Sequence, residues 1–108
     1  MSEKPVPPYY AVIFSSIRTD NDEGYAETIE QMMALGTGHD GCLGFESVNE
    51  GGRGISVSYW KDLDSIRDWK QVAEHLAAQK AGREKWYKSY TTRIAKVERD
   101  YSFDRAED

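Results

Sequence analysis

A single cysteine, Cys42, stands in the whole sequence. No internal disulfide can form, and the thiol lacks the partners of a zinc site. Proline is confined to positions 5, 7 and 8, in a loose lead-in before the first apolar run. That opening, with Lys4 among its prolines, does not have the form of a signal peptide. No stretch approaches the ~20 apolar residues of a membrane span. Lys and Arg are scattered, with no basic block, and the net charge is −5 with a pI near 5.0. Nucleic acid is thereby disfavoured as a partner. Internal repeats, low-complexity segments, a serine-nucleophile motif, a phosphate loop and a metal cluster are missing as well. These absences point to a cytoplasmic protein with neither membrane nor nucleic acid as partner.

What is present is a globular composition of 108 residues, 12% aromatic and 31% charged. That length suits one domain over 1–108, with a core from about 9 to 103 and flexible ends at 1–8 and 104–108. Tyr9–Ile17 is rich in β-branched and aromatic residues and is the first strand. Helix-start chemistry follows at Thr19–Glu23, where Asp20 and Glu23 have capping-box spacing and Asp22 is a competing cap. Tyr25, Ile29, Met32 and Met33 make one apolar helical stripe, ended by Gly36 and Gly38. Cys42–Val48 and Ile55–Trp60 are two strands around the glycine-rich hairpin loop Asn49–Gly54. Asp62 is placed to cap a second helix with an apolar stripe of Ile66, Trp69, Ala73, Leu76 and Ala77. That helix is expected to run to about Tyr87, with a possible break at Gly82. The alternation of Arg93–Phe103 predicts the last strand. The order β-α-β-β-α-β is the α+β, ferredoxin-like arrangement on an antiparallel sheet.

In that arrangement both helices cover one sheet face. The first strand is apolar on both faces, since Tyr9, Ala11 and Ile13 oppose Tyr10, Val12 and Phe14. One of these sets is out of the helices' reach and needs cover. A second copy offering the same face supplies it symmetrically, which predicts a homodimer. The alternative is that the N-terminal segment or the tail covers it within one chain.

The run from Val57 to Trp69 ends a strand in Trp60, turns through Asp62 and Asp64, and puts a second tryptophan, Trp69, on the following helix. With Asp40–Phe45 leading into the second strand, it resembles the antibiotic biosynthesis monooxygenase domain family. That family also includes small haem-degrading monooxygenases. The resemblance runs from about Tyr9 to Phe103. It implies a dimeric α/β barrel whose sheets meet face to face, and a ligand pocket between sheet and helices. It further implies a cofactor-independent oxygenase, in which the electron-rich enolate or phenolate of a small aromatic or enolisable substrate itself reduces dioxygen. The protein would deprotonate, orient and dry that substrate.

Residue by residue, Trp69 matches the ligand-facing tryptophan of the second helix. The axial histidine of the haem-degrading members falls at Gln79, and their strand-one asparagine falls near Ser15 or Ser16. Gln is a poor iron ligand, so haem degradation ranks last. A non-catalytic small-molecule-binding or stress-related module on the same dimer is the main alternative to an oxygenase. The candidate site is His75 as general base, with Trp69, Trp60, Ser16 and Gln79 against the substrate and no metal or other cofactor. Each has a plainer reading: Trp60 and Trp69 as core, and His75 as a surface residue about 140° from its helix stripe. His39 is expected to be solvated in its loop. Trp86 and Tyr87 are expected to pack against the last strand. Arg83, Arg93 and Arg99 are candidates to grip an acidic substrate, or ordinary solvated arginines.

Overall fold

The computed structural model describes residues 5–79 and 82–106, with side chains at 5–75 and 84–106. The elements are β1 (Tyr9–Arg18), α1 (Tyr25–Thr37), β2 (Cys42–Glu50), β3 (Arg53–Trp60), α2 (Leu63–Gln79), α3 (Gly82–Trp86) and β4 (Tyr87–Val97). The strands form one antiparallel sheet in the order β2-β3-β1-β4. The chain is therefore the expected α+β, ferredoxin-like fold.

Strand parity settles which face the helices cover. Trp60 on β3 stacks on Trp69 of α2, with centroids 6.2 Å apart and ring planes 20° apart. The residues sharing Trp60's side of β3 are Gly54, Ser56 and Ser58, and the register brings Ser16, Phe14, Val12 and Tyr10 of β1 beside them. The helix side is thus the more polar parity of β3. Ile55, Val57 and Tyr59 point to the outer face, together with Tyr9, Ala11, Ile13 and Ile17 of β1. On that outer face Val48 is 70% exposed and Ile55 50% exposed.

The β2–β3 connection is tighter than the expected six-residue loop. Gly51 and Gly52 have φ of 58° and 81°, and both strands run up to them. Positive φ at both central residues is the two-residue hairpin turn that suits strand twist, and it favours glycine.

Three element boundaries differ from the sequence reading. The last strand is Tyr87–Val97, six residues earlier than the expected Arg93–Phe103 at both ends. Its bounds follow its partner: β1 pairs from Tyr9↔Val97 to Arg18↔Tyr87, and Pro8 before Tyr9 has no N–H to extend the ladder. As an edge strand with little burial, β4 carries weak hydrophobic alternation. Second, the helical run is divided into α2, ending at Gln79, and the short α3 from Gly82, which ends at Trp86, within one residue of the expected end near Tyr87. Third, neither Asp20 nor Asp22 caps α1. Its N-cap is Gly24 in the left-handed region at φ 73°, without a side-chain cap. Asp22 is drawn away by Arg18, whose guanidinium donates to its carboxylate at 2.7 Å. The predicted cap of α2 is present, with Ser65 N–H donating to Asp62 Oδ1 at 2.8 Å.

Beyond β4 the chain turns back under β1. The Tyr9 hydroxyl donates to Asp100 Oδ2 at 2.7 Å. That bond, with burial second, pushes the Tyr9 phenol up to about 12 from its ordinary value near 10. A donor bonded to a carboxylate is stabilised in its protonated form. The bond's contribution to stability is therefore complete below pH ~10 and is lost as pH rises through ~12. Tyr9→Phe should be less stable than wild type at pH 8, and the gap should close between pH ~10 and ~12 in denaturant unfolding. A gap that stays constant to pH ~12 would show that the hydroxyl is not anchored this way.

Candidate functional site

Between helices and sheet the side chains form two aromatic groups at opposite ends of the central strands. One group is built on Trp60, which is 1% exposed. Its indole N–H donates to Ser58 Oγ at 2.8 Å, which satisfies both buried groups. Trp69 stacks on it half-buried, with its far edge against α1. A Cβ on Gly36 would sit 3.3 Å from that indole, so glycine there lets α1 approach. His39 closes the third side, edge-on to Trp60 at 5.5 Å. Contrary to the expectation of a solvated loop residue, His39 is half-buried, and its Nδ1 accepts the Gly41 N–H at 2.9 Å. Its Nε2 lies 3.8 Å from Asp68. Gly41 is buried because α2 starts directly against it: any Cβ there would collide with Ser65.

The second group was not anticipated as a unit. Phe14 meets Tyr87 at 5.6 Å and Tyr90 at 5.2 Å, and Tyr87 meets Tyr25 of α1 at 6.2 Å. Arg18 lies over the Tyr25 ring, 3.2 Å from its centroid, and donates to the Trp86 carbonyl at 3.2 Å. Burial first, and then the neighbouring Tyr25, push the Tyr87 phenol well above its ordinary range, so it stays a donor. Trp86 is 1% exposed and its indole donates to the Glu23 carbonyl at 2.7 Å. It thus ties α3 to the start of α1. One signal in the sequence marked this group: the tyrosines at 25, 87 and 90, two of them close together just after the last helix.

Trp60 and Trp69 are thus brought together, and Ser16 and His75 are not. Ser16 lies opposite Gly54, ~20 Å from Trp60 by the rise of six strand residues. It borders an open cleft of about 620 Å³ at the hairpin end of the sheet, shared with Asn49, Arg53 and Ile55. A smaller open cleft of about 410 Å³ adjoins it beside Arg18 and Tyr25. His75 is exposed on α2, as are Arg93 and Arg99 on and beyond β4. The side chains of Gln79 and Arg83 lie outside the described residues. Among the described residues no group of three or more His, Cys, Asp or Glu is placed to hold a metal, and no helix is long and apolar enough to cross a membrane.

The model of one family, antibiotic biosynthesis monooxygenase, matches residues 8–81, more than half of the chain. The chain belongs to the antibiotic biosynthesis monooxygenase family. It is 53% identical over 104 residues to the "Uncharacterized protein YqjZ" of Bacillus subtilis (strain 168), covering 95% of this chain and 91% of that protein. It is 28% identical over 90 residues to the "Jasmonate monooxygenase ABM" of Pyricularia oryzae, which covers 82% of this chain and only 35% of that relative's length. Among solved structures, the cofactor-independent oxygenase SnoaB from Streptomyces nogalater superposes with a TM-score of 0.65 at 11% identity, over 92% of this chain and all of that one. Protein SO0527 from Shewanella oneidensis gives 0.69 at 12%, covering 83% and 91%. At those identities the two structures speak to the fold.

The two tryptophans should separate in stability. Trp60→Ala removes a fully buried ring and should cost ~3–5 kcal/mol. Trp69→Ala removes a half-open one and should cost ~1–2 kcal/mol. Denaturant unfolding of both variants checks this. A Trp69→Ala loss equal to that of Trp60→Ala would make Trp69 core rather than wall.

Proposed function

We propose that the chain is a cofactor-independent monooxygenase for a small aromatic or enolisable substrate held between the helices and the sheet. One observation carries the reading: two aromatic groups face each other across a floor of small side chains. Trp60 and Trp69 stand at one end, with Phe14, Tyr87 and Tyr90 at the other. Ser58 and its partner Val12 lie between them by register, and Ser56 stands beside Phe14. From Trp60 to Ser56 is four strand residues, ~13 Å, a span suited to a molecule of two or three rings. Family membership supports the reaction class, as do the relatives named for monooxygenase and cofactor-independent oxygenase activity.

In such chemistry the deprotonated substrate supplies all the electrons. Oxidation of a ring CH2 or its enol to a carbonyl takes up one O2, leaves one oxygen atom in the product and releases the other as water. The tasks left to the protein are to hold the ring, exclude water and donate hydrogen bonds to developing oxyanions. Trp69 holds the ring, with Trp60 behind it, and the Ser56 and Tyr87 hydroxyls supply donors. Haem does not fit the residues present. Nδ1 of His39 is occupied by a backbone N–H, its Nε2 faces Asp68, and His75 faces solvent.

One observation favours the second reading, a binding module without turnover. None of the wall and floor residues named above is a histidine or a carboxylate, and His75 stands on the exposed side of α2. Oxygen uptake with a panel of polycyclic phenols, without added cofactor, decides between them. The oxygenase reading expects stoichiometric uptake, three- to tenfold weaker substrate affinity in Trp69→Ala (roughly the stacking contribution), and turnover within about twofold in His75→Ala. Ligand-induced stabilisation without uptake would establish the binding module. A loss of about a hundredfold in His75→Ala would make it the general base.

The same reading includes a homodimer through the outer sheet face. The accessible surface is 8155 Å², against ~6,100 Å² for a folded monomer of 12.3 kDa. The excess, roughly 2,000 Å² on one chain, is more than the ~800 Å² that a standard interface takes from each partner and is of the size that a large obligate homodimer interface removes. Sedimentation at micromolar concentration should give a dimer. A single 12.3 kDa species across that range would overturn it.

A further inference from the structure

The loop from Gly36 to Cys42 touches the tryptophan pair and its helix at three points. Gly36 lies so close to the Trp69 indole that a Cβ there would sit 3.3 Å from it. The His39 ring stands edge-on to Trp60 at 5.5 Å. Gly41 is packed against Ser65, where any added Cβ would collide. Its carbonyl accepts at 2.9 Å the N–H of Lys61, the residue after Trp60. Ser65 stands one helical turn before Trp69 on the same face of α2. The loop is therefore a seat for the pair, and a movement of Gly41 reaches Trp69 through α2.

His39 pins that seat. Its N–H donates to the Gly36 carbonyl at 3.0 Å, its carbonyl accepts the Cys42 N–H at 3.0 Å, and its Nδ1 accepts the Gly41 N–H at 2.9 Å. An imidazole nitrogen that accepts a backbone N–H carries no proton of its own. The proton of the neutral ring is therefore on Nε2, 3.8 Å from Asp68. Neither nitrogen is free to take a proton from a substrate. A proton added to the ring must go to Nδ1, where it meets the Gly41 N–H, and that bond is lost. The charged groups around the ring pull the other way. Asp68 stands on α2, and Asp62 caps that helix, its carboxyl held low first by its bonds to Ser65 and in lesser part by Lys61 and His39. An imidazolium is thus drawn towards the acids of α2 and away from Gly41.

We propose that His39 is a positioning residue: its neutral ring fixes the Gly41 turn and so sets Trp69 against the ligand, and its protonation releases both. It acts through Trp60 and Gly41 rather than on the substrate. Resting on the ligand wall proposed above, this role is the same whether the wall serves turnover or binding alone. Because the Gly41 bond belongs to the neutral ring, affinity at Trp69 is full at the higher pH and falls as the ring takes up a proton.

Asparagine separates the bond from the titration, because its Oδ1 accepts the N–H two residues on in the same way and takes up no proton. The probe is 2-naphthol, which has two rings and stays neutral throughout. Its affinity is measured by calorimetry from pH ~8 to ~5, the range in which an imidazole changes charge, on wild type, His39→Asn and His39→Ala. Wild type should lose about two- to tenfold in affinity as the pH falls, the contribution of one hydrogen bond. His39→Asn should match wild type at the upper pH and stay flat, and it keeps the test open should His39→Ala not fold. His39→Ala should bind weakly throughout. Without ligand, the NMR signals of the Gly41 amide and the Trp69 indole should move with those of the His39 ring in wild type and stay in place in His39→Asn. The same pH dependence in wild type and His39→Asn, or full affinity in His39→Ala, would overturn the positioning role. Signals that move together while no variant binds 2-naphthol would remove the ligand wall itself and leave His39 a structural pin.

Discussion

Trp60 is the constraint on which the site end of the molecule depends. It is the last residue of β3 and fully buried, so its position fixes what can approach from three directions. Its indole N–H is satisfied only by Ser58, two residues back on the same strand face. Its ring carries Trp69, which carries Gly36 of α1 in turn. Its edge meets His39, whose Nδ1 holds the turn at Gly41, against which α2 begins. One side chain thus sets the spacing of α1, α2 and the loop between α1 and β2. A ring of this size makes many weak contacts, and in a domain of 108 residues their sum is a large share of a small net stability.

The sheet divides its two faces unevenly, and the division has a functional sense. On the helix side the middle of β3 is serine rather than valine or isoleucine, although the core would be better filled by apolar residues. Small hydroxyl-bearing side chains there fill less space than valine or isoleucine would, and on the proposed reading they face the substrate. The apolar residues of β3 are spent on the opposite face, where no helix covers them.

Much was legible from local pattern. The strand and helix order, the capping of α2 by Asp62, and the doubly apolar first strand follow from side-chain periodicity and from hydrogen bonds that span a few residues. What was misread depends on partners remote in sequence. The span of β4 is set by the length of β1 and by the proline before it, not by the alternation of its own residues. Asp22 has the chemistry of a helix cap, yet Arg18 claims it, and Gly24 opens α1 instead. His39 looks like a solvated loop residue until Trp60 is placed beside it.

By itself the sequence determined the fold class and the assignment of Trp60 and Trp69 to one site, because those rest on spacings of two to nine residues along one chain. The tertiary structure alone decided that Ser16 stands ~20 Å from that pair, and that Phe14, Tyr25, Tyr87 and Tyr90 form a second aromatic group. It alone decided which parity of the sheet the helices cover. These outcomes follow from strand order and register, which bring together residues up to 91 positions apart, as at Tyr9 and Asp100. No local spacing encodes such distances. They are fixed only when the strands pair.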